Sequence, residues 1–297
     1  MITVMGATGN VGRKVVQQLL AQGETVRAVG RNPEALAELA AAGAQIHAGD
    51  AADAAFLTEA FRGADAAHTM LPYSPGATDF RAEQECLGTA IAAAVRDSGV
   101  RTVVAVSSLG AELPSGTGFI AASLHPQERR LRALEGVDVL FLRPGLFFES
   151  VAAAAEVIEA TGVNLDVVAP DVAVPMVSTH DVAEAAATAL RARDWSGFEV
   201  REVLGPRDLT YPEATRILGA AMGRPDVPYV QVSGDEMVAA LVQAGFTSET
   251  AALQVEMATA ISTGTITPRE GRTARSTTHT RFEDVVTELV PDRKEAS

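Results

Sequence analysis

The first sixteen residues read MITVMGATGNVGRKVV, and no other stretch limits the fold as much. A short, largely apolar strand is broken by Gly6, Gly9 and Gly12, and a helical run follows at once. A strand that turns through glycines into a helix is the opening of a βαβ unit. Gly6 lets the chain turn tightly off the strand. Gly9 removes a side chain where a ligand has to approach the backbone, and Gly12 lets helix and strand pack closely. The N–H groups at the helix start lack intrahelical partners and sit at the positive end of its dipole. They predict a seat for the diphosphate of a dinucleotide. The spacing is Gly-x-x-Gly-x-x-Gly, not the Gly-x-Gly-x-x-Gly of many dehydrogenases. A tight turn with no ligand is the plainer alternative, and the strand before and helix after weigh against it.

The end of the second strand bears on the choice of dinucleotide. In NAD-binding folds an acid about 20 residues further on holds the ribose hydroxyls. Here that strand reads TVRAVGRNP and ends at Gly30 and Arg31, with no carboxylate. An acid there repels a 2′-phosphate, whereas a guanidinium grips it. NADP(H) is therefore the expected cofactor, with Arg31 as its phosphate ligand and Arg13 in support. The alternative for Arg31 is a solvated loop residue. The third strand ends in HAGD, and Asp50 is expected to contact adenine, to cap the next helix, or to do both.

The rest of the first half repeats the alternation. Strands are predicted near Ile2–Met5, Thr25–Val29, Gln45–Ala48, Ala66–Met70, Thr102–Ser107 and Asp138–Arg143. Helices are predicted near Val11–Ala21, Glu34–Ala42, Ala54–Arg62, Phe80–Ser98 and His125–Glu135. Val11, Val15 and Leu19 share one face of the first helix, and a glycine follows each helix. The pattern argues for an α/β fold, a parallel sheet with helices on both sides. In the second half Val163–Val177 reads as strand and loop. Helices follow near Asp181–Ala192, Tyr211–Met222, Gly234–Ala244 and Ser248–Thr263, with Asp181 and Glu184 resembling a capping box. The expected division is a cofactor-binding domain over 1–150, a substrate-binding region over 151–290 interleaved with it, and a flexible tail over 291–297.

Net charge is −14, which disfavours nucleic acid as a partner. Cys86 is the only cysteine, so neither an internal disulfide nor a thiolate metal cluster is available, and it is expected to be a small buried residue. His47, His68 and His279 are too scattered to suggest a metal site. No signal-like segment precedes the first strand and no apolar run reaches ~18 residues, so a soluble cytoplasmic protein without membrane contact is expected.

Taken in order, GATGNVG at 6–12, VRAVGRNP at 26–33, VVAVSSLGA at 103–111, FLRPGLFFES at 141–150 and VPMVSTHDVAEAA at 174–186 resemble the NmrA-like atypical short-chain dehydrogenase/reductases. VLGPRDLTYPEATRILGAAMGRP at 203–225 and TPREGRTARSTTHTRFEDVV at 267–286 extend the resemblance over nearly the whole chain. That group includes NADPH-quinone oxidoreductase-like and azoreductase-like proteins. The resemblance implies a Rossmann-type doubly wound parallel sheet with a smaller, mostly helical C-terminal substrate region. It implies that NADP is held by Gly6, Thr8, Gly9, Asn10, Val11, Gly12 and Arg31, with Asp50 near adenine. Leu71 and Pro72 would line the cofactor, Ser107 and Ser108 would lie near the nicotinamide, and Pro144 would close that side.

One departure bears on the chemistry. The wider superfamily uses a Tyr-x-x-x-Lys pair in which lysine lowers the tyrosine pKa. This chain has only Lys14 and Lys294, and none of Tyr73, Tyr211 and Tyr229 has a lysine four residues on. Aligned through LRPG, the dyad positions read Ala121 and Leu124. Three side chains are candidates in its place. His125 follows directly, and an imidazole titrates near ~6.5, which suits proton delivery; the alternative is a residue that only starts a helix before Pro126. Tyr73 ends a strand where ligands of open sheets sit, or is a loop aromatic. Ser108, or Ser107, can donate to a substrate or nicotinamide. Hydride transfer to a quinone-like or conjugated small molecule needs little more than stacking and exclusion of water. Two functions follow: an NADPH-dependent oxidoreductase, or a non-catalytic NADP(H)-binding redox sensor with a protein partner.

Overall fold

The structure is a computed structural model that describes residues 1–290, so the tail expected over 291–297 lies outside the described residues. The first half alternates as β1 (Ile2–Met5), α1 (Asn10–Ala21), β2 (Val26–Gly30), α2 (Ala37–Ala41), β3 (Gln45–Ala48), α3 (Ala54–Phe61), β4 (Ala66–Thr69) and α4 (Phe80–Ser98). It continues with β5 (Thr102–Val106), a single π-helical turn at Ile120–Leu124, α5 (His125–Arg132) and β6 (Asp138–Pro144). Beyond it come β7 (Leu146–Phe147), α6 (Phe148–Ala152), α7 (Ala154–Thr161), β8 (Asn164–Asp166), β9 (Val174–Val177), α8 (Thr179–Ala192) and β10 (Phe198–Val203). The described chain closes with β11 (Asp208–Leu209), α9 (Tyr211–Ala221), β12 (Tyr229–Gln231), α10 (Gly234–Gln243), α11 (Ser248–Ser262) and α12 (Phe282–Leu289).

Seven strands form one sheet in the order β10-β6-β5-β4-β1-β2-β3, and every neighbouring pair is parallel. Strands buried on both faces need unbroken apolar runs. Val139 to Leu142 of β6 supply one, all fully buried. On one face α1 buries Val15, Val16 and Leu19 against α8, whose Ala183, Ala186 and Ala187 allow a close approach. Each buried Val or Leu contributes about 1.5–3 kcal/mol. On the other face α3, α4 and α5 bury Leu57, Phe61, Ile91 and Leu131. This is the doubly wound Rossmann-type sheet. Two elements from beyond residue 150, α8 and β10, complete its helix layer and its edge. A second core gathers Phe148, Met176, Leu209, Ile217, Phe282 and Val286 under α6, α9 and α12.

From β1 the chain goes one way through β2 and β3, then the other way through β4, β5 and β6. The switch point therefore lies between β1 and β4, and open sheets hold ligands at the carboxyl ends of such strands. The carboxyl ends of β1 to β6 and the segments that follow them carry the site residues named above.

Several expectations need correction. The second helix starts at Ala37, not Glu34, because Asn32 Oδ1 accepts from Glu34 N and holds a turn over Asn32–Leu36. Cys86 is exposed: the buried face of α4 runs through Phe80, Gln84, Leu87 and Ile91, and Cys86 falls off it. The cap of α8 is Ser178, which accepts from His180 N. Asp181 is buried inside the first turn instead, and its two carboxylate oxygens accept from Thr280 N and Oγ1.

Candidate functional site

The glycine turn has the geometry its spacing demands. Gly6 takes a φ of +71°, and Gly9 N returns a hydrogen bond of 2.9 Å to its carbonyl. Gly9 is the N-cap of α1, yet no side chain caps the helix and its first turn holds no acid. The first N–H groups of α1, at Asn10, Val11 and Gly12, are left to point outward. A Cβ on Gly12 would stand 2.2 Å from Gly6 O, so helix and turn are in backbone contact. A Cβ on Gly9 would meet nothing nearer than Gly6 O at 3.4 Å, so the space above it is open. A cradle of bare amides, roomy only where glycine leaves it so, fits a diphosphate.

At the end of β2 the Thr8 and Leu36 side chains each come within 3.3 Å of where a Gly30 Cβ would be. No carboxylate occupies that strand end. Arg31 beside it is exposed and makes no hydrogen bond or ion pair among the described residues. Arg13 is engaged, 2.7 Å from Glu38. Asp50 accepts from Ala52 N at 2.9 Å in a local turn, and Asp53 is the residue that caps α3, so the capping role passes to Asp53. Leu71 is buried, and the Pro72 carbonyl is held by the buried Gln84 amide at 2.8 Å. Pro144 is buried at the end of β6 and its carbonyl accepts from Leu109 N.

The loop after β5 separates the two serines. Ser107 is 6% exposed and donates its hydroxyl to Glu128 Oε1 at 2.7 Å, which corrects the expectation of a free donor there. Ser108 is half-buried and its hydroxyl has no partner among the described residues. His125 opens α5, and its Nδ1 lies 2.9 Å from Ala111 O. A carbonyl only accepts, so Nδ1 carries the hydrogen and Nε2 is left to face other groups. His125 thus starts the helix, and its ring is oriented by a loop carbonyl.

Tyr73 is 43% exposed, with its ring edge-on to Phe80 at 5.7 Å and tilted against Phe119 at 5.5 Å. Partial burial pushes its phenol pKa up, so it keeps its proton. The other tyrosines are committed, Tyr229 to Val168 O and the buried Tyr211 to Asp166. Lys14 is bound to Thr179 and Glu149. Ala121 and Leu124, where the dyad would align, lie in the π turn. Tyr73, Ser108 and His125 make no hydrogen bond with one another among the described residues.

A buried ionic cluster lies beneath these loops. Arg143, inside β6, donates from Nε and Nη2 to both oxygens of Glu128 at 2.8 and 2.7 Å, and from Nη1 to Glu112 at 2.7 Å. Burial alone would raise the Glu128 pKa, but Arg143, the Ser107 hydroxyl and Arg132 hold it below the usual carboxylate range. Sequence reasoning missed this cluster. Its signal was an arginine within the apolar run VLFLRP, since a charge there needs a buried partner. One group with metal-ligand spacing, His180, Asp181 and Glu184, occurs among the described residues, with Asp181 already occupied by Thr280.

Comparison with known proteins adds four findings. The family described as NAD(P)H-binding matches residues 6–193. The (4-alkanoyl-5-oxo-2,5-dihydrofuran-3-yl)methyl phosphate reductase of Streptomyces griseus is 33% identical over 225 residues, 76% of this chain and 75% of that enzyme. NAD(P)H azoreductase of Xenophilus azovorans is 29% identical over 251 residues, 82% of each protein. Among solved structures, the NADPH-dependent quinone oxidoreductase of Escherichia coli complexed with NADPH matches with a TM-score of 0.81 over 97% of this chain and 99% of that one. At 23% identity that likeness shows the fold alone. No helix among the described residues is long and apolar enough to cross a membrane.

Proposed function

The chain belongs to the NAD(P)H-binding family, and from that premise we propose that it is an NADPH-dependent reductase of the NmrA-like kind, acting on quinone-like or other conjugated small molecules. The observation that carries the reading is the uncapped start of α1 beneath Gly9, with the unpaired Arg31 beside it. Residues Gly6–Gly12 hold the diphosphate, Arg31 the 2′-phosphate and Asp50 the adenine end. Leu71, Pro72, Pro144 and the backbone at Ser107 line the nicotinamide end. Residues 1–150 serve the cofactor and 151–290 frame the substrate.

When bound, NADPH supplies a hydride to the acceptor. The protein's tasks are then to orient the acceptor, exclude water and deliver a proton. The exposed edge of the Tyr73–Phe119 pair offers an aromatic wall for a flat ring. The Tyr73 hydroxyl, kept protonated by partial burial, donates a hydrogen bond to the acceptor oxygen. His125, oriented through Nδ1, presents Nε2 for proton exchange. Ser108 supplies a free hydroxyl donor on the loop after β5. The relatives' names point to an azo group and a butenolide, both conjugated, and such acceptors do not need a Tyr–Lys dyad to bear the developing charge.

The missing dyad favours one other reading, a redox sensor that binds NADP(H) without turnover. NADPH absorbance decay with quinones, azo dyes and butenolides separates the two. Turnover with any of them, lowered in His125→Ala, supports the reductase. Tight, oxidation-state-selective binding with no turnover supports the sensor.

A further inference from the structure

Both loops that carry the proposed acceptor-side residues rest on one helix from the far end of the chain. The first turn of α11 holds the loop after β4. Thr250 is 1% exposed and donates its hydroxyl to Pro75 O, which also accepts from Thr247 N at 3.2 Å. Glu249 reaches across to accept from Phe80 N at 3.0 Å, so α11 helps to cap α4 alongside Asp79. Leu253 then packs on Ala77 and Phe80, the ring that supports Tyr73.

About one turn further along, α11 holds the loop after β5. Gly118, at a φ of +57°, lies directly on the helix backbone. A Cβ there would stand 1.9 Å from Leu253 O and 2.7 Å from Met257 N. Met257 and Ala260 pack on Leu109, Ala111 and Ile120. Ala111 supplies the carbonyl that orients His125. The Tyr73 wall and the His125 wall therefore meet the same rigid element within two turns of each other, and Tyr73 and Phe119 touch where the two loops converge.

We propose that α11 sets the spacing of the two acceptor walls, with Thr250 and Gly118 as positioning residues that govern acceptor affinity and not cofactor affinity. The inference rests on the reductase reading. Neither residue touches the glycine turn or the end of β2, and both act through the loops they hold. Displacing α11 moves Tyr73 relative to His125 and leaves the cradle at Gly9 in place.

The test is steady-state kinetics with 2-methyl-1,4-naphthoquinone, paired with NADPH binding measured by fluorescence. In Thr250→Val the side chain keeps its shape and loses the bond to Pro75. Its KM for the quinone is expected to rise about fivefold, in line with one lost hydrogen bond. The NADPH Kd is expected to stay within about twofold, and Thr250→Ser restores the wild-type KM. Gly118→Ala is expected to raise KM further, and if it fails to fold the Thr250 pair decides alone. An unchanged quinone KM in folded Thr250→Val overturns the inference, as does a proportional loss of NADPH affinity. Absence of wild-type turnover with this quinone and with the azo dyes and butenolides named above defeats the reductase reading and this inference with it; turnover with an unmoved KM defeats only the inference.

Discussion

The glycine turn after β1 and the loops after β4 and β5 lie along the same edge of the sheet but are built by different means. The turn is made of residues within seven positions of one another, held by backbone contacts such as Gly9 N to Gly6 O. The loops are held from far away: Ser107 by Glu128, 21 residues on, Glu112 by Arg143, 31 residues apart, and Pro75 by Thr250, 175 residues apart. A cofactor of fixed shape can be met by a short local motif. A variable acceptor is met by distant segments whose packing can change without disturbing that motif. The two halves of the site should therefore fail separately.

The sharpest way to break that contrast is Gly12→Ala. The added methyl falls 2.2 Å from Gly6 O and must push α1 away from the turn. NADPH affinity is expected to drop by about 100-fold or more, measured by fluorescence titration, since such sites tolerate little displacement. Retained affinity would mean that the helix start is not the seat.

On the opposite side Arg143→Met removes the cation from the buried cluster and leaves Glu128 and Glu112 without it. Breaking a buried pair costs about 3–5 kcal/mol, to be read from urea unfolding. Because Glu128 anchors Ser107, turnover is expected to fall in whatever fraction stays folded, with less effect on cofactor affinity.

Between the halves, His68 sits on β4 beside Val4 of β1, fully buried, its Nδ1 near Met5 O. Burial pushes its pKa down from 6.5 to about 4. Below about pH 6.5 the unfolded chain takes up a proton that the folded chain refuses, so stability falls as the pH drops toward 4 and levels off below it. The loss at this one site reaches about 3 kcal/mol. His68→Leu is expected to flatten that limb of the unfolding free energy against pH. An unaltered limb would place the titration elsewhere.

The smallest expected effect sharpens the cofactor side alone. Arg31→Ala is expected to weaken NADPH by about 1.5–3 kcal/mol, the range for one charge-assisted bond, and to leave NADH unchanged. Equal loss for both cofactors would remove Arg31 from the 2′-phosphate.

The same contrast explains what could be read from the sequence. The six strands and five helices of the first half follow from periodicity and glycine stops, and Gln45–Ala48 and Phe80–Ser98 match the observed elements end to end. The turn at Gly6–Gly12 was legible because its cause is local. The short helices α6 and α7, and α12, were not anticipated, since their stability comes from a core assembled late in the chain; edge strand β10 was not anticipated either, since it is fixed by pairing with β6 about 60 residues earlier. The cap of α8 was misassigned because Asp181 followed by Glu184 imitates a capping box, while Asp181 answers to Thr280, 99 residues away. Ser107 and Ser108 are indistinguishable in sequence and part company only once Glu128 is seen beneath one of them.

The central claim is that the bare amides at the start of α1 seat a dinucleotide. Isothermal titration of the wild-type protein and Gly12→Ala with NADPH tests it most directly. The account predicts saturable heat at a one-to-one ratio for the wild type, and its loss in the variant. No heat with either NADPH or NADH, or equal binding by both proteins, would contradict it.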